Sequence, residues 1–191
     1  MPAHQVWNDT GRFDRPLQER DVARLSLILS LVMVFSSFAL AASTAQSSRE
    51  SSGLAITQEE LTFVELLNKE RARRGLSQLT VDPMLIEVAR AHSREMAEKN
   101  YFAHNSPTRG MKTALDRYLA AVKQRPSWAL VGENLFYCSI VDVTRGHIAL
   151  MNSEGHRANI LEGRFHRVGV GAYTDNKGQF FVTQMFLAKT N

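Results

Sequence analysis

The chain has 191 residues, 44% of them hydrophobic and 22% charged, enough for one globular domain with its own core plus a further segment. A formal net charge of +4 does not make it a nucleic-acid binder. The basic residues are spread, and their one cluster, Arg71 to Arg74, falls where a helix is expected to end and cations favour its dipole. The single cysteine, Cys138, excludes an intramolecular disulfide and reads as a small buried hydrophobe.

Residues 1–24 mix four Arg with four Asp or Glu and show no apolar periodicity. They read as disordered, or as an extension upstream of a true start at Val22. Residues 25–42, LSLILSLVMVFSSFALAA, carry no charge and follow Arg24 directly, the pattern of a signal peptide or a membrane anchor. Ala39 to Ala41 supply a small-x-small cleavage pattern. The expected location is secreted or periplasmic, with this segment touching the membrane during export and holding the protein there if it is not cleaved. Residues 43–56 are Ser-rich and read as a linker.

The domain proper is expected over 57–191. Thr57 begins a capping box, TQEE, and apolar residues at helical spacing predict a first helix over 58–74, stopped by Gly75. Asp82 and Pro83 cap a second helix over 83–99, with His92 on its apolar face as a hydrogen-bonded core residue. A loop, YFAHNSPTRG, delivers His104. A weaker third helix is expected over 111–122, then an irregular connection holding Trp128. GENLFYC follows, with Glu133 in a turn and a short strand in its second half. A fourth helix spans about 142–152 and breaks at Asn152, Ser153 and Gly155, after which His156 opens a short helix. VGVGAYT and QFFVTQMFL around DNKG predict a β-hairpin. Helices before strands make the fold class α+β with an antiparallel sheet.

His104, Glu133 and His156 are the candidate site. Two imidazoles and a carboxylate suit a divalent metal with open positions, or acid/base work on a bound water, with Glu133 and His156 as the catalytic candidates. Their separations of 29 and 23 residues in sequence do not show that they meet. Taken singly, Glu133 also reads as a backbone-capping acid and the segment around His156 as a polar linker. His147 and His166 read as surface residues.

The ordered set NKER (68–71), NYFAH (100–104), GENL (132–135), MNSEGHRANIL (151–161), VGVG (168–171) and TQMF (183–186) closely resembles the CAP superfamily in its bacterial SCP-like form. That family holds the cysteine-rich secretory proteins, venom antigen 5 and plant pathogenesis-related 1 proteins, and the match covers about residues 58–187. The resemblance implies an α-β-α sandwich, with a central antiparallel sheet between helical layers. It also implies a ligand-binding cleft lined by two His and two acids. His104, Glu133 and His156 match three of those positions. The fourth falls on Ser153, and Glu154 is turned away by about 100°, so a metal such as zinc would have three ligands, His104, Glu133 and His156. The expected protein is a monomer that binds a lipid, glycan or cell-envelope ligand. The alternative is a metal-assisted hydrolase using the same cleft.

Overall fold

The structure, a computed structural model, describes residues 55–190. The expectations for the extension, the leader and nearly all of the linker lie outside them. Each of the first four helices starts at a side-chain cap. The Glu60 N–H donates to Thr57 Oγ1 at 3.3 Å and the Thr57 N–H donates to Glu60 Oε2 at 2.9 Å. This capping box opens α1 over Gln58–Ala72. Gly75, at φ +70°, makes the left-handed turn that follows. Asp82 Oδ1 accepts the Met84 and Leu85 N–H groups at the head of α2, Pro83–Glu98. Asp82→Ala is expected to lower stability by about 1–2 kcal/mol, read from the urea midpoint; an unchanged midpoint would mean the cap contributes nothing.

Thr113 and Asp116 form a second capping box, so α3 starts at Ala114 and ends at Ala121. Met111 and Lys112, expected within this helix, remain in the preceding loop. Asp142 Oδ1 accepts the Arg145 N–H to start α4, Val143–Asn152. Ser153 alone makes the next break. Its extended backbone (φ −83°, ψ 125°) ends α4 and begins α5, Glu154–Leu161, so Gly155 lies inside a helix instead of at the turn.

The strands are β1 (Thr80–Val81), β2 (Trp128–Cys138), β3 (Arg167–Thr174) and β4 (Phe180–Thr190), in the order β1-β3-β4-β2. The expected antiparallel sheet is formed by the three long strands, and one short parallel strand at its edge makes it mixed. β2, β4 and β3 are antiparallel neighbours, but the short β1 runs parallel to β3. A two-residue strand leaves no alternation to read. β2 is also longer than expected: the stretch from Trp128, read as irregular, pairs with β4 along all eleven residues.

β4 sits inside the sheet and is covered on both faces, so its residues are buried without alternation from Phe180 to Ala188, the polar Thr183 and Gln184 included. Its even positions, Val182 and Phe186 among them, pack with Phe63, Leu67, Leu150 and Ile160 of α1, α4 and α5. Its odd positions Met185 and Leu187 pack with Leu85, Ala89 and Tyr118 of α2 and α3. This is the α-β-α sandwich that the resemblance implied. His147, expected at the surface, is buried on α4, whereas His166 is exposed. Cys138 is buried and free. Among the described residues no helix is long and apolar enough to cross a membrane.

Candidate functional site

Glu133 lies in the middle of β2, an edge strand, and not in a turn. Residues directly opposite across a ladder share a face, so Glu133, paired with Met185, faces α2 and α3. Its neighbour Asn134, paired with Gln184, faces the other layer. Gly132 is required by contact: a Cβ there would stand 2.7 Å from Phe165 Cζ.

The Glu133 carboxylate is buried and held from two sides. His104, in the loop after α2, donates from Nδ1 to Oε1 at 2.8 Å, so Nε2 is the ring nitrogen that the carboxylate does not engage. Arg117 of α3 donates from Nη2 to Oε2. The Arg117 Nη1 group also donates at 3.2 Å to the carbonyls of His104, Met111 and Lys112, so one guanidinium holds both the acid and the loop that carries its histidine. Burial alone would raise the Glu133 pKa. The His104 hydrogen bond and the positive field of Arg117 outweigh it and hold the carboxyl below its ordinary value.

His156 arrives from the opposite layer on the first turns of α5. Asn134 fixes that turn, donating from Nδ2 to the His156 carbonyl at 3.1 Å and to Gln184 Oε1 at 3.1 Å. Asn159 donates to the Glu133 carbonyl at 3.0 Å and to Asn134 Oδ1 at 2.9 Å. Burial pushes the His156 pKa down, and the nearby His104 adds to the shift, so the imidazole is neutral at pH 7. The structure therefore brings His104 onto Glu133 and sets His156 within His104's electrostatic reach. Ser153 is half-buried at the α4/α5 junction with no side-chain cap hydrogen bond, and Glu154 is exposed. His92 is the core histidine expected, its ring nitrogen bonded to the Ala103 carbonyl at 3.1 Å.

The donor set does not fit the three-ligand metal centre expected at His104, Glu133 and His156. Each Glu133 oxygen already accepts a hydrogen bond, one from an arginine that would repel a cation. Among the described residues no three His, Cys, Asp or Glu side chains are placed to hold a metal ion. The arrangement offers instead an imidazole, His104, on a carboxylate whose charge Arg117 compensates, with the His156 ring close enough to His104 to feel its charge.

A family model described as cysteine-rich secretory protein family, CAP, matches residues 64–186. The chain belongs to the CAP family. It is 38% identical over 136 residues to the Bacillus subtilis protein YkwD, a match covering 70% of this chain and 49% of that protein. It is 35% identical over 125 residues to the B. subtilis membrane protein YlbC, covering 63% of this chain and 34% of that one. The chain thus spans about half the length of the first relative and a third of the second. Among solved structures, an extracellular SCP-domain protein of Bacillus anthracis superposes with a TM-score of 0.57 at 31% identity, covering 72% of this chain and 45% of that one. An outer surface protein of Borrelia burgdorferi superposes with a TM-score of 0.63 at 16% identity, covering 72% and 97%, which supports the fold alone.

Within this CAP domain the sequence reading missed Arg117, the second partner of Glu133, and left Asn134, Asn159 and Gln184 without roles. The asparagines stood inside the GENL and GHRANIL motifs, and Gln184 inside TQMF. Arg117 lay outside every motif, on the weaker helix expected over 111–122.

Proposed function

We propose that this CAP protein works outside the cytoplasm as a binding module, holding an uncharged polar ligand of the cell envelope, such as a glycan or wall fragment, at the β2 edge. One observation carries the reading: Glu133 is clamped between His104 and Arg117, so it braces the site and is not free to ligate a metal or take a proton. The polar groups left for a ligand are His104 Nε2, the neutral His156 ring and the Ser153 hydroxyl, which suit hydroxyl and amide partners. The extracellular designation of the B. anthracis relative supports the location. A metal-assisted hydrolase would need the Glu133 carboxylate free, and the clamp weighs against it.

Co-sedimentation of the full-length protein with purified cell-wall polymer tests this. His104→Ala and His156→Ala are each expected to weaken association about tenfold, the loss of one or two hydrogen bonds, with unfolding midpoints confirming that both variants fold. Association that is undiminished in both folded variants, or that appears only on phospholipid vesicles, would overturn the reading.

A further inference from the structure

Six large apolar side chains are exposed among the described residues, and three of them share one stretch of chain. Ile140 (57% exposed) and Val141 (48%) form the tip of the loop between β2 and α4, and Ile148 (52%) lies on the helix that the loop feeds. Neither tip residue belongs to the core, so their adjacent apolar surfaces stand in water at a cost. Asp142 caps α4 directly behind them, its Oδ1 accepting the Arg145 N–H at 2.8 Å, so the tip is backed by ordered helix.

The place of the tip in the fold says what covers it. Cys138 and Thr174 both pair with Phe180, which sets the end of β2, the end of β3 and the β3/β4 turn at one end of the sheet. The chain enters the domain at that end as well. The Ala172 N–H donates to Glu60 Oε1 at 3.1 Å, and Arg90 donates from Nε to the same oxygen at 2.6 Å and from Nη2 to the Ala55 carbonyl at 2.8 Å. The first turn of α4 packs on this part of α1, since a Cβ on Gly146 would lie 2.8 Å from Phe63 Cζ. Upstream of Ala55, twelve residues, 43–54, separate the domain from the uncharged run 25–42, a reach of about 40 Å at full extension.

We infer that the Ile140/Val141 tip seats the domain on a lipid bilayer in which residues 25–42 act as the anchor, so that the domain stands on this end and does not swing on its linker. The apolar pair enters the boundary between headgroups and acyl chains. The charges at this end suit that surface. Arg145 and Lys177 are exposed, whereas Asp142 and Asp175 are half-buried and accept backbone N–H groups; exposed Glu59 on α1 is the opposing charge. Cations beside a bilayer are drawn to anionic headgroups. A protein partner fits less well: three half-exposed aliphatic side chains fall far short of the roughly 800 Å² per partner that a stable interface buries, whereas lipid needs no matching surface. Glu133 lies five residues before Cys138, about 17 Å back along the strand, so the seated domain holds its His104/Glu133 site clear of the headgroups. The inference does not depend on the ligand proposed for the β2 edge.

The test uses the full-length protein in nanodiscs of phosphatidylcholine and phosphatidylglycerol, with a gadolinium chelate on a fraction of the headgroups, and reads methyl relaxation by NMR. Met84 is the internal reference: it lies in the first turn of α2 at the opposite end of the sheet, where the Asp82 N–H donates to the Val168 carbonyl. Strong enhancement is expected at Ile140 and Ile148, and little at Met84. Ile140→Ser combined with Val141→Ser, both at exposed positions, is expected to abolish the difference between Ile148 and Met84 while leaving the urea midpoint unchanged. Equal enhancement of Ile148 and Met84 in the native protein overturns the inference, because the domain then swings freely on its tether. So does a difference that survives the double substitution, and so does the absence of enhancement at every methyl.

Discussion

Gly171→Ala is expected to lower stability by about 3 kcal/mol or more, and Gly171→Val to prevent folding. A Cβ at position 171 would lie 2.0 Å from the Arg90 backbone N and 2.3 Å from the Ala89 carbonyl carbon. Gly169 repeats the contact one step earlier, with its Cβ position 2.3 Å from the Leu85 carbonyl carbon. Two residues along a strand advance about 6.6 Å and four along a helix about 6.0 Å. Alternate glycines of β3 therefore meet successive turns of α2, and the two backbones touch. The neighbouring valines, Val168 and Val170, point to the opposite layer and pack with Phe63 and Leu67. Because the atoms in the way are backbone, no rotamer change relieves the clash. Urea denaturation beside Gly163→Ala, whose added Cβ meets only Leu76 Cδ2 at 3.8 Å, is the measurement. Equal midpoints for the two variants would show that α2 yields to the extra methyl.

Arg117→Met is expected to cost about 3–5 kcal/mol at pH 7, because it leaves the Glu133 carboxylate buried without the guanidinium that compensates its charge. The pH dependence carries the diagnosis. In the native protein burial opposes the Glu133 charge, but the His104 hydrogen bond and Arg117 overcome it, and the carboxyl pKa lies below its ordinary value of 4.5. A depressed carboxyl contributes stability that is present above the unfolded pKa and lost as pH falls through the folded one. In Arg117→Met that contribution is gone and burial favours the protonated acid. The gap between native and variant protein is therefore expected to be widest at neutral pH and to shrink as pH falls below about 4.5. Chemical denaturation of both proteins at pH 7 and pH 4 measures it. A constant gap would place the effect in lost packing and not in the charge pair. Arg117→Met combined with Glu133→Leu is expected to recover much of the loss, since removing both partners leaves no orphaned charge.

Local signals in the sequence were reliable where a side chain acts on its own backbone. Thr57, Asp82 and Asp142 each cap the helix they were expected to begin or precede, and Gly75 adopts the positive φ its place demanded. The third helix was misjudged because the Thr113/Asp116 box, a capping motif with Asp in place of Glu, was overlooked. β2 was cut short because its early residues are only half-buried and pair at an edge, so neither alternation nor an apolar run marks them.

The candidate site divides in the same way. By itself the sequence determined the starts of α1, α2 and α4, the family motifs and the identities of His104, Glu133 and His156, because caps, periodicities and motif spacings act over one or a few turns of chain. Only the tertiary structure decided that Glu133 meets Arg117 as well as His104, that Asn134 and Asn159 tie α5 to β2, and that the VGVG glycines admit the backbone of α2. Those contacts join residues 16 to 84 positions apart. Whether such residues meet depends on the order and register of the sheet, and neither composition nor local pattern encodes these.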